Sequence, residues 1–98
     1  MSKYTEVLEA LKRLFRIAMT DTGQARQVAD FLLSWHNAAE NGGWDPTDLW
    51  NVDDEIADDI LTVLQFPRVR HEYAGELGFR SEMRTAWEQW RGASVQKQ

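Results

Sequence analysis

The sequence predicts an all-α protein, a compact bundle of four main helices plus one or two short helices. Apolar residues recur at the 3.6-residue spacing of an amphipathic helix in four segments of the chain. Residues typical of helix starts and ends separate these segments. The sequence contains no sustained alternation of apolar and polar residues, which is the pattern of a half-buried strand.

Two long apolar stripes predict the first two helices. The first stripe covers residues 4–18, and Ser2 is its expected N-cap. The second begins at Asp21-Thr22-Gly23-Gln24, which has the pattern of a capping box with Asp21 as the N-cap. It is expected to end at Asn41-Gly42-Gly43, because glycine adopts the left-handed conformation at low cost.

The middle of the chain predicts a short helical segment and then the third main helix. Asp45-Pro46 starts the short segment, since Asp is a preferred N-cap and Pro a preferred first helical residue. Asn51 or Asp53 is expected to cap the third helix, which Pro67 is expected to stop near Gln65. The apolar residues of this helix are Ile56, Ile60, Leu61, Val63 and Leu64.

The C-terminal third predicts one or two helical turns within residues 68–76 and a final helix from Phe79 to Gly92. The domain is expected to span residues 1–92, with residues 93–98 as a frayed tail. Tight connections are expected at residues 19–22, 41–45 and 51–53.

Composition excludes several classes of protein. The 98 residues correspond to one domain, and the lack of cysteine excludes disulfides, zinc–thiolate sites and iron–sulfur clusters. The sequence has no apolar run of the roughly 20 residues that span a membrane and no signal-peptide pattern, so we expect a cytoplasmic protein. A net charge of -5 argues against a general nucleic-acid binder.

Acidic residues are concentrated between positions 45 and 59, a window without a basic residue. They are Asp45, Asp48, Asp53, Asp54, Glu55, Asp58 and Asp59. Several lie at helix starts, where acids stabilise the helix dipole. However, Asp54/Asp58 and Glu55/Asp59 are like-charge pairs at i,i+4, which destabilise a helix. The window is therefore either a solvated face or a binding surface for a basic partner. In the second case its acids could mimic the phosphate backbone of a nucleic acid.

Tryptophan is abundant, with five in the chain. Trp35, Trp87 and Trp90 lie on apolar stripes and are expected in the core. Trp44 and Trp50 flank the short segment instead. They either fill the gap between the second and third helices or form an exposed aromatic surface beside the acids, where tryptophan is a frequent binding hot spot.

Basic residues form two groups near the C-terminus. They are Arg68, Arg70 and His71, and then Arg80, Arg84 and Arg91, of which the last three are predicted to share a helix face. One alternative function is a nucleic-acid-associated regulator that uses the arginines at positions 68, 70, 80 and 84. Another is self-association into a homodimer, in which this basic end meets the acidic window of a second copy.

Catalytic and metal-binding patterns are absent from the sequence. His36 and Glu40 share a helix face and, with His71, make a small metal-dependent enzyme a third alternative. No metalloprotease, calcium-loop, serine-nucleophile or phosphate-loop motif accompanies them. We therefore predict no catalytic residues, no metal and no cofactor.

A set of short segments resembles a family of small uncharacterised helical domains carried by proteobacterial plasmids, integrative elements and prophages. The set includes Asp21-Thr22-Gly23-Gln24, Arg26, residues 28–33, Asn37-Ala38, Asp48-Leu49-Trp50, residues 56–59, Leu77-Gly78 and Gln89-Trp90-Arg91. The resemblance covers residues 7–91. It implies an accessory protein of a mobile element, and by analogy an inhibitor of host defence such as an anti-CRISPR or anti-restriction protein.

The sequence as a whole predicts a non-catalytic protein-binding module of a mobile genetic element. Its most specific form is an inhibitor of a host defence complex that handles nucleic acid and presents a basic surface. The predicted partner-binding residues are Trp44, Asp48, Trp50, Asp53, Asp54, Glu55, Asp58 and Asp59.

Overall fold

A computed structural model describes residues 3–69 and 73–92, and all regular structure within these two ranges is helical. The four α-helices are α1 (Lys3–Ala18), α2 (Gly23–Asn41), α3 (Asp54–Val69) and α4 (Arg80–Trp87). Two 3₁₀ helices, Pro46–Asn51 and Ala74–Leu77, lie between them, and a π-helical segment, Glu88–Gly92, continues α4. The predicted all-α fold class is confirmed.

Some predicted features lie outside the described residues. They are the Ser2 cap, the basic residues Arg70 and His71, the side chain of Arg68, and the frayed tail at residues 93–98. Within the part of the chain that the structure describes, no helix is both long and apolar enough to cross a membrane.

Helix α1 is the central element and packs against α2, α3 and α4. Its inner face buries Val7, Leu11, Leu14 and Phe15. The ring of Phe15 stacks on Phe79 with centroids 5.2 Å apart, which joins the start of α4 to α1. The tryptophans expected in the core, at positions 35, 87 and 90, are half-buried and pack against this core rather than lying within it.

The start of α2 differs from the predicted capping box. The N-cap is Thr22 rather than Asp21, because the extended backbone of Thr22 lets its hydroxyl accept a hydrogen bond from the Ala25 N–H at 3.1 Å. Gln24 bonds instead to the next helix, where its Oε1 accepts from the N–H of Asp53 at 2.6 Å. The glutamine therefore fixes the start of α3, which begins directly after Asp53.

A break that the sequence did not predict interrupts α2 at Asn37, where the backbone leaves the helical region (φ -166°, ψ 90°). The Oδ1 atom of Asn37 accepts from the N–H of Glu40 at 3.3 Å and so caps the last turn. The helix ends at Gly42 as predicted, with a φ of 90°. The break matters because the final turn carries the buried residue Asn41.

The prediction that Pro67 stops α3 near Gln65 is wrong, since the helix continues to Val69. Proline lacks one N–H donor, and so close to the end of a helix this removes a single hydrogen bond. The predicted apolar set of α3 is also only partly internal. Ile56, Ile60 and Val63 are buried, whereas Leu61 and Leu64 are exposed.

Arg91, which was predicted to share a face with Arg80 and Arg84, differs from them because it is half-buried and paired. The segment after Trp87 is π-helical, and its wider turn changes the direction of the side chains that follow. Arg91 turns toward α2, where its Nη2 bonds Asp30 at 2.6 Å and its Nε bonds the carbonyl of Asn41 at 2.9 Å. Arg91 is therefore a residue that ties the C-terminal segment to α2.

Candidate functional site

Trp50 is the most prominent exposed aromatic residue, with 82% of its surface accessible. It lies in the 3₁₀ helix Pro46–Asn51, while its neighbour Leu49 packs against the core. Asp45 fixes the start of this helix, because its Oδ1 accepts from both the N–H and the hydroxyl of Thr47, each at 2.9 Å. These hydrogen bonds lower the pKa of Asp45. The cap at Asp45 and the packing of Leu49 therefore hold this helix in place while Trp50 is exposed to solvent.

Trp44 behaves differently from Trp50. It is half-buried and meets the ring of Phe31 edge-on, with centroids 5.1 Å apart. Its indole Nε1 is buried and makes no hydrogen bond to any residue that the structure describes. Trp44 and Trp50 were considered together in the sequence analysis, but in the fold Trp44 is packed and Trp50 is exposed.

Two acids of the predicted site have structural partners. Arg13 on α1 binds Asp59 through two hydrogen bonds, Nε to Oδ2 at 2.8 Å and Nη2 to Oδ1 at 2.9 Å. This pairing raises the pKa of Arg13, and only 14% of the Asp59 side chain is accessible. Asp53 is joined to Gln24 twice, since its backbone N–H donates to Oε1 at 2.6 Å and its carboxylate Oδ2 accepts from Nε2 at 3.4 Å. Both acids therefore hold α3 in place.

The other acids of α3 have no such role. Asp54, Glu55 and Asp58 are exposed, and within residues 3–69 and 73–92 their side chains make no hydrogen bond or ion pair. Asp48 is half-buried, and its pKa is raised by desolvation and by the charges of Asp30 and Asp45. The folded protein thus keeps three carboxylates without a partner among the described residues, of which Asp54 and Glu55 lie in the first turn of α3, where acids stabilise the helix dipole.

Two exposed leucines extend this surface along α3, with 49% of Leu61 and 37% of Leu64 accessible. Helical spacing places Leu61 on the same face as Asp54 and Asp58, at i+7 and i+3 from them. We call the set of Trp50, Asp54, Glu55, Asp58, Leu61 and Leu64 the α3 surface, in which Glu55 and Leu64 form opposite edges because helical rotation places them on opposite sides of α3. No sequence signal marked the two leucines as exposed, because five apolar residues within nine positions are no more than one buried stripe at i, i+3, i+4, i+7 and i+8 can hold.

A second feature is a cleft of about 700 Å³ between the end of α2 and α4. It is lined by His36 and Glu40, two of the residues considered as metal ligands, and by the arginines of α4. Within the described residues, no group of three or more His, Cys, Asp or Glu side chains is placed to hold a metal ion.

Comparison with known protein families matches residues 8–91 to DUF7673, a family of unknown function. The chain belongs to this family. The matched region includes all residues of the α3 surface and most of each of the four α-helices. The predicted membership in a family of small uncharacterised domains is therefore confirmed. No curated protein and no solved structure matches the chain.

Proposed function

We propose that this protein is a non-catalytic protein-binding module that acts in the cytoplasm and holds its partner on the α3 surface. The observation that carries the proposal is the position of Trp50, which is 82% exposed and lies four residues before the first of three carboxylates that have no partner among the residues described. The partner has a basic rim and an apolar pocket, which complement the charge and the tryptophan.

Two energetically unfavourable features of the α3 surface support this proposal, namely repulsion between like charges and apolar area exposed to water. Asp54 and Asp58 are like charges one helical turn apart, and such pairs destabilise a helix by a few tenths of a kcal/mol. The exposed side chains of Trp50, Leu61 and Leu64 leave apolar area in water, which a partner would cover. Binding would relieve both unfavourable effects. Cations of the partner would neutralise the acids, and an apolar pocket would remove Trp50 from water.

In its most specific form, the proposal is that the partner is a host defence complex that handles nucleic acid and that a mobile element carries this protein. Such complexes bind the phosphate backbone through lysine and arginine. A helix with unpaired carboxylates beside an aromatic anchor suits the same basic surface. Occupying that surface would block access of the nucleic acid and inhibit the complex.

The test is an affinity purification from host lysate with the wild-type protein and two variants, in low and high salt after nuclease treatment. Trp50→Ala removes the anchor, and the double variant Asp54→Lys/Asp58→Lys reverses the charge. Matched controls are Met19→Ala, at another exposed apolar residue, and Glu6→Lys/Asp21→Lys, which changes the net charge equally.

We expect one stoichiometric partner to remain with the wild type and with both controls. Each test variant should weaken binding of that purified partner by at least about 30-fold, the loss typical of a hot spot. Adding the wild-type protein to the partner should also inhibit its nucleic-acid binding. A partner held equally by the wild type, Trp50→Ala and the charge-reversed variant would overturn the proposal, as would a partner that is captured only when the nuclease is omitted.

A further inference from the structure

The cleft between α2 and α4 brings cationic and aromatic side chains together on facing walls. Helix α4 contributes Arg80, Arg84 and Trp87, which share one face at spacings of i, i+4 and i+7. The other wall contains His36 of α2 and Tyr73, whose rings meet edge-on with centroids 6.2 Å apart. The volume of about 700 Å³ lies within the range of small-molecule sites.

The floor of this cleft is held by buried hydrogen bonds. The indole Nε1 of Trp87 donates to Oδ1 of Asn41 at 3.1 Å, and Nδ2 of Asn41 donates to the carbonyl of Leu33 at 3.1 Å. Asn41 is buried, as is Met83, which also lines the cleft. The orientation of the Trp87 ring is therefore fixed before any ligand arrives, which reduces the entropy lost on binding.

The charged groups of the cleft are available to a ligand. Arg80 and Arg84 are exposed, and within the described part of the chain neither side chain makes a hydrogen bond or ion pair. The side chain of Glu40 is likewise unpaired there, and Glu76 accepts one hydrogen bond from the N–H of Tyr73 at 2.8 Å. The site thus combines two cations with two carboxylates that can still accept hydrogen bonds.

We propose that this cleft binds a nucleoside monophosphate. A phosphate group matches two guanidinium groups one helical turn apart, because arginine binds phosphate through paired, charge-assisted hydrogen bonds. The flat base packs against the aromatic walls at Tyr73 and Trp87. Glu40 and Glu76 accept hydrogen bonds from the ribose hydroxyls or an exocyclic amine of the base.

A nucleotide fits better than the simpler ligands. A free phosphate would leave the aromatic walls and both carboxylates unused, and an aromatic carboxylate offers no donors for Glu40 and Glu76. A nucleic-acid strand fits poorly because the chain has a net charge of -5, and such binding depends on releasing counterions from many phosphates. The assignment is independent of the α3 surface, with which the cleft shares no residue.

The test is isothermal titration of the full chain with AMP, GMP, CMP and UMP, each alongside its nucleoside, ribose 5-phosphate and inorganic phosphate. We expect at least one mononucleotide to bind at least tenfold more tightly than each of its fragments. Arg80→Gln/Arg84→Gln should weaken that binding at least tenfold, and Tyr73→Ala several-fold. The control Lys12→Gln/Arg26→Gln removes the same charge from exposed sites outside the cleft and should leave binding unchanged.

Several results would overturn this assignment. One is the absence of binding by all four mononucleotides at millimolar concentration, and another is equal binding of inorganic phosphate, which would indicate a simple anion site. Equal weakening in the control variant would show a non-specific effect of charge. An oligonucleotide that binds a hundredfold more tightly than its mononucleotide would identify a nucleic-acid surface instead. We expect each variant to fold, because Tyr73 and both arginines are exposed, and thermal unfolding of each variant checks this.

Discussion

Asp58 and Asp59 are adjacent in sequence, yet the structure predicts opposite effects on stability when each is changed to asparagine. Asp59 receives two hydrogen bonds from Arg13 at 2.8 and 2.9 Å, while 52% of the Arg13 side chain remains accessible to solvent. Exposed ion pairs contribute about 0.2–1 kcal/mol, and a two-point pair with a mostly buried carboxylate lies near the upper limit. Asp59→Asn should therefore lower the free energy of unfolding by about 1 kcal/mol.

Asp58→Asn should instead raise the free energy of unfolding by about 0.2–0.5 kcal/mol, because it removes a like charge from Asp54 at i,i+4. Thermal unfolding resolves the difference, since about 1 kcal/mol shifts the melting temperature of a domain of this size by about 4–8 °C. The Asp59→Asn effect should disappear in an Arg13→Gln background. Equal melting temperatures of the two single variants would refute this division of the acids into structural and free groups.

Three further predictions concern single positions. Asp48→Asn should raise the melting temperature at pH 7, because the pKa of Asp48 is raised in the folded state. The gain should vanish in melts recorded below about pH 3.8, the ordinary pKa of aspartate, where the carboxyl is protonated in both folded and unfolded states. Asn41→Ala should cost about 1–3 kcal/mol in urea unfolding, since it leaves the indole N–H of Trp87 without its partner. Gly78→Ala should destabilise the protein by about 1 kcal/mol in the same assay because Gly78 has a φ of 99°, whereas Gly23→Ala, with open space and no positive φ, should not.

Local patterns predicted the elements of the fold because apolar spacing and caps act over a few residues. The start of the 3₁₀ helix at Asp45-Pro46 and the end of α2 at Gly42 follow from single side chains and backbone angles. Hydrogen bonds between residues far apart in the sequence could not be predicted from such local patterns. Gln24 is near enough to the start of α2 to complete a capping box, but a donor 29 residues away, the N–H of Asp53, takes its oxygen.

The same reasoning explains why the candidate site was predicted only in part. Charge density located the acidic window, but sequence spacing could not show that Arg13 lies opposite Asp59 and leaves Asp58 free. The exposed Leu61 and Leu64 were assigned to the core because periodicity does not fix the width of the buried stripe. The cleft requires the break at Asn37 and the packing of α2 on α4, which no local pattern encodes.

The α3 surface and the cleft are separable because they use different elements and share no residue. A ligand in the cleft contacts α4 and the end of α2, whereas a partner on α3 contacts a helix that is fixed by Arg13 and Gln24. Variants at Trp50 should therefore leave nucleotide titrations unchanged, and variants at Arg80 and Arg84 should leave partner binding unchanged. If a nucleotide nevertheless altered partner affinity, two helices offer a route for the reciprocal coupling: α1, which packs against both α3 and α4, and α2, which packs on α4 and holds the start of α3 through Gln24.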